Sequence, residues 1–221
     1  MIQISASILA SPITSLGNVI PKLKSSSIDY IHLDIMDGNF VPQLSFGEAV
    51  SSEISKLTKI PLDVHLMVNR PEIIAPKYYS LKPKYITFHR EATHFSIRLA
   101  EEIRKNGSKV GIAINPSTPV SSLEDCLPYI DMILIMTVEP GFYGQSFVKN
   151  GLEKINRAKE LIGSYPISLQ VDGGVNSSNI QRIHELGVEI VVAGSALFKD
   201  SKPNEAATAL KKLTKNISLK F

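Results

Sequence analysis

Hydrophobic positions along the chain alternate between short, β-rich apolar runs and longer amphipathic segments. Eight apolar runs are predicted to be strands, at residues 3–9, 28–36, 60–67, 85–89, 109–114, 132–136, 167–172 and 188–193. Eight segments are predicted to be helices, at residues 14–24, 47–57, 71–80, 95–106, 121–127, 148–162, 177–186 and 203–213. The runs lack strict polar alternation, which is typical of parallel strands buried on both faces. The pattern therefore predicts about eight βα units in series.

Glycines mark the expected ends of several helices. Gly107, Gly163 and Gly187 each stand where a helix should stop before the next strand. No linker rich in proline, serine or glycine divides the chain, so we predict a single α/β domain over residues 1–221, folded as a (β/α)₈ TIM barrel. A doubly wound open sheet is the alternative, but its G-x-G-x-x-G fingerprint is missing after the first strand.

Composition narrows the class of protein. The 43% apolar and 20% charged residues are ordinary for a soluble globular protein, and a net charge of +3 with scattered lysines argues against a nucleic-acid partner. No apolar run approaches the length that spans a bilayer, and residues 1–4 lack a basic leader region, so we expect a cytoplasmic protein without a membrane partner. Cys126 is the single cysteine and is expected to be structural, in a reducing compartment.

Four residues of unusual chemistry fall on or near the carboxyl ends of predicted strands, where a barrel keeps its active site. His32 and Asp34 share one face of the second strand, although an unpaired ionised Asp in an apolar interior costs several kcal/mol. His65 and Asp172 lie near the ends of the third and seventh strands. Such a set of nitrogen and oxygen ligands suits one divalent metal ion, Zn²⁺, Fe²⁺, Mn²⁺ or Co²⁺. The alternative is that both histidines are core side chains hydrogen-bonded to the backbone.

The two carboxylates suggest a reaction. Asp34 and Asp172 belong to strands well apart around the ring, so a substrate held between them would meet one carboxylate on each face. Removing a proton from one side of a carbon and returning one to the other side inverts its configuration. Such a proton is acidic only beside a carbonyl group, so we expect a ketone or aldehyde that passes through an enediolate. A metal ion would take up the developing negative charge as a Lewis acid.

Three glycine-containing clusters follow successive predicted strands. They are Gly141, Phe142, Tyr143 and Gly144 after the sixth strand, Gly173 and Gly174 after the seventh, and Gly194 and Ser195 after the eighth. Loops in these places often bind phosphate through backbone N–H groups. Residues 137–150 form the longest predicted connection, which suits a partly mobile cover.

Methionines and the remaining histidines carry weaker signals. Met36, Met67 and Met136 each come near a strand end; any one of them is typical core, but together they suggest a soft, dry lining for one cavity. His89 ends the fourth strand and is expected to support the site rather than to bind metal. His184 lies in a helical segment and is expected to be solvated.

These residues resemble the signatures of the ribulose-phosphate 3-epimerase family, and the resemblance covers essentially the whole chain. The matching stretches are Ser5-Ala6-Ser7-Ile8-Leu9, His32-Leu33-Asp34-Ile35-Met36-Asp37-Gly38, Val41-Pro42, Asp63-Val64-His65-Leu66-Met67-Val68, Met136-Thr137-Val138, Pro140-Gly141-Phe142, Gly144-Gln145, Val171-Asp172-Gly173-Gly174 and Val192-Ala193-Gly194-Ser195. Tyr143 stands where the family usually has a small residue, and Glu139 where it usually has Asn or Asp. Both departures bear on the geometry of the phosphate loop.

The resemblance implies an enzyme of the pentose phosphate pathway that interconverts D-ribulose 5-phosphate and D-xylulose 5-phosphate, as a homo-oligomer. It implies a divalent metal on His32, Asp34, His65 and Asp172, with Asp34 and Asp172 as the acid/base pair. It implies that Ser7 and His65 contact the sugar, and that phosphate is held by Gly141, Phe142, Tyr143, Gly144, Gly173, Gly174, Gly194 and Ser195. The alternatives are a 3-epimerase of a longer ketose phosphate such as D-allulose 6-phosphate, and a non-catalytic barrel that binds sugar phosphates.

Overall fold

Eight parallel strands close into a barrel in the structure, a computed structural model that describes residues 1–215. The strands are β1 (Gln3–Ser7), β2 (Tyr30–Met36), β3 (Leu62–Met67), β4 (Tyr85–His89), β5 (Lys109–Ile114), β6 (Met132–Met136), β7 (Ser168–Asp172) and β8 (Ile190–Ala193). Each strand pairs with the next in sequence, and β8 pairs with β1. The predicted (β/α)₈ barrel is confirmed.

Helices form the outer layer. They are α1 (Leu16–Val19), α2 (Glu48–Leu57), α3 (Pro71–Ile74), α4 (Ser96–Lys105), α5 (Gly151–Ile162), α6 (Ile180–Glu185), α7 (Ser195–Phe198) and α8 (Pro203–Lys212). No helix within residues 1–215 is long and apolar enough to cross a membrane.

Three predicted helices are wrong in detail. The segment at 14–24 is broken into α1 flanked by 3₁₀ turns, the segment at 71–80 passes from α3 into the 3₁₀ helix Ala75–Leu81, and the segment at 121–127 is the 3₁₀ helix Val120–Tyr129. Pro21, Pro76 and Pro128 lie in these 3₁₀ segments. Proline lacks the N–H that an α-helix needs and its ring clashes with the preceding turn, which explains the irregular backbone.

The alternation of side chains along β2 separates two environments. Ile31, Leu33 and Ile35 point outward into the main hydrophobic core beneath the helices. His32 and Asp34 alternate with them and therefore point into the barrel. The register places Asp34 opposite His65 on β3. The alternation along β2 and its register with β3 thus bring Asp34 and His65 together inside the barrel.

Candidate active site

Four predicted ligands converge at one end of the barrel. His32 and Asp34 on β2, His65 on β3 and Asp172 at the end of β7 each offer one atom, and these four atoms lie within 4.8 Å of one another. Asp34 Oδ1 is 3.3 Å from His32 Nε2 and 3.5 Å from His65 Nδ1. Asp172 Oδ2 lies 3.6 Å from His65 Nδ1 and 3.8 Å from His32 Nε2. Although β2 and β7 are separated around the ring, their carboxylates reach the same point.

The cluster has the chemistry of a metal site. His32 Nε2 and His65 Nδ1 are buried and have no hydrogen-bond partner in the part of the chain that the structure describes. Buried polar atoms are almost always paired, so two bare ring nitrogens facing two carboxylates need a reason. A divalent ion supplies it, because both imidazole nitrogens and both carboxylate oxygens are ordinary ligands of such ions. The four residues therefore fit a single metal ion.

Asp63 orients the first of these histidines. It is fully buried on β3, and its Oδ2 accepts hydrogen bonds from His32 Nδ1 at 2.8 Å, Ser5 Oγ at 2.7 Å and Gln170 Nε2 at 2.7 Å. Burial raises the pKa of Asp63, but the charge of His32 and these hydrogen bonds outweigh it and lower the pKa. A carboxylate that holds the Nδ1 proton leaves Nε2 free as a ligand.

His32 and Asp34 form a coupled pair within the cluster. Burial acts to lower the pKa of His32, but the charges of Asp34 and Asp63 outweigh it and hold this pKa well above its ordinary value. Burial acts to raise the pKa of Asp34, but the charge of His32 and the close approach of both histidine rings lower it. Ser7 Oγ donates a hydrogen bond of 2.7 Å to Asp34 Oδ2, which fixes the carboxylate on the side away from His32. Asp34 is therefore ionised and held in one orientation.

Two other histidines take contrasting positions. His89 is fully buried behind His65, with 2.9 Å between their Nε2 atoms. His184 is also buried, and its Nδ1 lies 2.8 Å from the carbonyl oxygen of Val188. The expectation that His184 is solvated is wrong, because α6 turns this side chain toward the interior.

A cavity lies over the cluster and is lined by both carboxylates. Most of the predicted site residues line it: Ser7, Asp34, Gly141, Phe142, Tyr143, Gly144, Asp172, Gly173, Gly174, Gly194 and Ser195. The predicted methionines Met36, Met67 and Met136 line the same cavity, whereas His32 and His65 are fully buried. The glycine clusters and the two carboxylates thus line the same cavity.

The connection from β6 to α5, residues 137–150, forms one wall of this cavity. Gln145 Nε2 donates to the carbonyl oxygens of Glu139 at 2.6 Å and Phe142 at 3.0 Å, which ties the loop to itself. Tyr143 is 66% exposed, so the bulky side chain that departs from the family pattern stands largely in solvent at the mouth. The sequence did not predict the role of Gln145, because it depends on how the loop folds back.

Gly174 shows why glycine is needed beside this loop. Its φ is +67°, a left-handed conformation that L side chains rarely adopt. A Cβ at this position would lie 2.5 Å from the backbone nitrogen of Phe147. The end of β7 and the loop after β6 therefore pack with no room for a side chain at this residue.

Comparisons with known proteins agree with this geometry. The model of the family described as "Ribulose-phosphate 3 epimerase family" matches residues 3–198. The chain is 37% identical over 227 residues to a ribulose-phosphate 3-epimerase of Methanocaldococcus jannaschii, which covers 100% of this chain and 96% of the relative. It is 35% identical over 214 residues to a ribulose-phosphate 3-epimerase of Bacillus subtilis, which covers 96% and 99%.

Solved structures share the fold at much lower identity. A structure of KGPDC from Streptococcus mutans superposes with a TM-score of 0.74 at 15% identity, covering 98% of each chain. A structure of 3-hexulose-6-phosphate synthase superposes with a TM-score of 0.68 at 17% identity, covering 96% of this chain and 98% of the other. These likenesses support the barrel architecture.

Proposed function

The chain belongs to the ribulose-phosphate 3-epimerase family, and from this premise we propose how its site performs the reaction. The protein is an isomerase acting on carbohydrates, which epimerises ribulose 5-phosphate at C3. Inversion at this carbon of the D-ketose gives D-xylulose 5-phosphate. We also propose that residues 1–221 form one catalytic domain.

Asp34 and Asp172 are the proposed acid/base pair. The observation that carries this assignment is that carboxylates from β2 and β7 line one cavity and approach one point. With the ketose between them, one carboxylate removes the C3 proton and leaves an enediolate, and the other delivers a proton to the opposite side. Ser7 keeps the Asp34 carboxylate aimed through its hydrogen bond to Oδ2. In the reverse direction the two aspartates exchange roles.

The proposed metal ligands are His32, Asp34, His65 and Asp172, holding one divalent ion from the group Zn²⁺, Fe²⁺, Mn²⁺ and Co²⁺. Support comes from the two bare ring nitrogens and the convergence of the four atoms. When bound, the ion supplies Lewis-acid stabilisation of the negative charge that develops on the substrate, worth several kcal/mol. Asp63 contributes by keeping the Nδ1 proton of His32 engaged.

The glycine clusters are the proposed phosphate site. Gly141 to Gly144, Gly173, Gly174, Gly194 and Ser195 line the cavity beside the carboxylates. Glycines allow backbone N–H groups to approach an anion closely. The three cavity methionines give the reacting carbon an apolar surround. We also propose a ketose phosphate as the small-molecule partner and a homo-oligomer, on the basis of the family resemblance. The sequence pattern is the basis for proposing a cytoplasmic location.

Solvent exchange tests the mechanism directly. Metal-loaded protein incubated with D-ribulose 5-phosphate in deuterated water should place deuterium at C3 of both epimers, as measured by proton NMR. A barrel that only binds sugar phosphates would leave C3 protonated, and that result would refute the proposal. Parallel turnover of D-allulose 6-phosphate separates the hexulose alternative, and metal analysis of protein purified without chelators identifies the ion.

A further inference from the structure

Three side chains, those of His65, His89 and Glu91, form a line that leads away from the four proposed metal ligands. His65 Nε2 lies 2.9 Å from His89 Nε2, and both rings are fully buried. Beyond them, His89 Nδ1 lies 3.4 Å from Glu91 Oε2. The proton transfer between the two aspartates uses neither His89 nor Glu91, so the burial of His89 beside a ligand calls for another explanation.

Hydrogen bonding sets which nitrogens carry protons along this line. Two ring nitrogens 2.9 Å apart share one proton, so one of them donates and the other accepts. If His65 Nδ1 faces a metal ion, that nitrogen is bare and the proton of His65 sits on Nε2. His89 Nε2 then accepts, and the proton of His89 sits on Nδ1, facing Glu91.

The Glu91 carboxylate faces the Nδ1 proton of His89. Its Oε1 accepts a hydrogen bond of 2.8 Å from the backbone N–H of Asn115 and another from the Thr118 hydroxyl, which leaves Oε2 toward His89. Burial raises the pKa of Glu91, but the contact with His89 and the bonds from Thr118 and Asn115 lower it to about 2. The carboxylate is therefore ionised at neutral pH and accepts only.

Ring packing fixes the orientation of His89. Its ring stacks on that of His65 with the centroids 5.0 Å apart and 21° between the planes. Phe40 packs against the His89 ring with the centroids 4.6 Å apart. A ring held by both neighbours keeps Nε2 toward His65 and Nδ1 toward Glu91.

We propose that Glu91 and His89 are positioning residues that keep the proton of His65 on Nε2 and so leave Nδ1 free for the metal ion. This inference rests on the metal site proposed above. It gives His65 a counterpart of the arrangement at His32, where Asp63 binds the Nδ1 proton directly. A carboxylate thus orients His32 by direct contact, whereas a carboxylate orients His65 through a second imidazole.

Glu91→Gln tests the proposal because its neighbours allow the new side-chain amide only one orientation. The backbone N–H of Asn115 can only donate, so the amide oxygen of the variant occupies the Oε1 position and its NH₂ group faces His89 Nδ1. This reverses both imidazoles and puts the proton of His65 on Nδ1, where the ion should bind. We expect Zn²⁺ affinity, measured by competition with a chromophoric chelator, to fall by about 100-fold, at the upper end of the effect of such supporting residues.

Glu91→Ala separates this effect from simple loss of structure. It removes the acceptor without presenting a donor, so Zn²⁺ affinity should fall only by about tenfold. It also removes the bonds to Asn115 and Thr118, so the metal-free variant should unfold at lower urea than Glu91→Gln. A purely structural role predicts the opposite order of Zn²⁺ affinities, with the alanine variant the weaker binder.

Glu72→Gln is the matched control. The Glu72 carboxylate accepts a hydrogen bond from the hydroxyl of Thr93, which lies two residues after Glu91 in sequence. Within residues 1–215, no hydrogen bond or ion pair joins Glu72 to His65 or His89. Its Zn²⁺ affinity should stay within about twofold of the wild type, well inside the effect expected of a supporting residue. Nitrogen-15 NMR of the histidine rings provides the second readout: Zn²⁺-loaded wild type should show protons on His65 Nε2 and His89 Nδ1, and metal-free Glu91→Gln should show the reverse.

The outcomes separate this proposal from the metal site on which it rests. A wild type that binds no Zn²⁺ would overturn the metal site and this inference together. A wild type that binds Zn²⁺, alongside a Glu91→Gln variant of equal affinity or a His89 proton on Nε2, would overturn only the roles of His89 and Glu91.

Discussion

Asp63→Asn tests how the cluster is supported, because Asp63 carries no proposed chemistry and yet contacts a ligand. Its Oδ2 receives three hydrogen bonds of 2.7 to 2.8 Å, from Ser5, His32 and Gln170. The asparagine side chain has nearly the same volume, so the substitution removes the charge and one acceptor site without opening a cavity.

The size of the effect follows from competing terms. Hydrogen bonds to a charged acceptor contribute about 1.5–3 kcal/mol and neutral ones about 0.5–1.5, so neutralising three costs about 3 kcal/mol. Removing a buried carboxylate from the protein also relieves a desolvation cost of several kcal/mol. The lowered pKa of Asp63 shows that its partners outweigh that cost, so we expect a net loss of about 1–3 kcal/mol in unfolding free energy.

Zn²⁺ affinity should fall by about 10- to 100-fold in this variant, because the Nδ1 proton of His32 loses its carboxylate. Chelator competition measures the affinity, and urea unfolding of the metal-free protein measures the stability. Asp29→Asn is the control: Asp29 Oδ2 accepts a hydrogen bond of 2.7 Å from Ile4 N–H and pairs with Lys211 at 2.6 Å, away from His32. It should lose stability without losing affinity, whereas wild-type affinity in Asp63→Asn would refute the reasoning.

Three further predictions concern the reaction, the loop and acid stability. Asp172→Asn and Asp34→Asn should each lower kcat by about 10²- to 10⁴-fold. Each variant should still exchange the C3 proton of one epimer with solvent deuterium, and the epimer that exchanges should differ between the two variants. Exchange of the same epimer by both variants would contradict two-sided transfer. Gly174→Ala should raise KM for the ketose phosphate about tenfold, because left-handed backbone costs a side chain about 1–2 kcal/mol and Phe147 blocks the Cβ; an unchanged KM in steady-state assays would contradict the phosphate assignment. Glu91, whose pKa is lowered from 4.5 to about 2, stabilises the fold fully above pH 4.5 and progressively less as pH falls toward 2. In urea unfolding at pH 7, the metal-free wild type should have a free energy of unfolding about 1–2 kcal/mol higher than that of Glu91→Gln, after allowance for solvent screening. This difference should shrink toward pH 3, and a difference that does not depend on pH would contradict the prediction.

Much of the barrel could be predicted because parallel strands buried on both faces leave a plain mark in the sequence. Tyr85–His89, Lys109–Ile114 and Met132–Met136 match the predicted strands residue for residue. The helices were harder to predict, since segments that contain proline turn two of them partly, and a third wholly, into 3₁₀ structure. The strand ends and the helix type depend on local backbone bonding rather than on hydrophobic pattern.

The candidate ligands could be predicted because imidazole and carboxylate groups are out of place on buried strands. Their supporting groups were harder to find. Asp63 is a charged residue on a predicted buried strand, two positions before His65, and such a position is a usable signal for a supporting carboxylate. The contact of His89 with Glu91 gave less warning, because it depends on ring rotation and on the turn that follows β4.

The closed ring has a consequence for the lifetimes of bound molecules. Every proposed metal ligand lies on a strand that is paired on both sides, so that β2, β3 and β7 have no free edge from which to fray. Segments with few such bonds open locally at little cost, whereas interior strands open only with the whole molecule. If the proposed ion is bound, its release by opening of these strands would therefore require unfolding of the barrel.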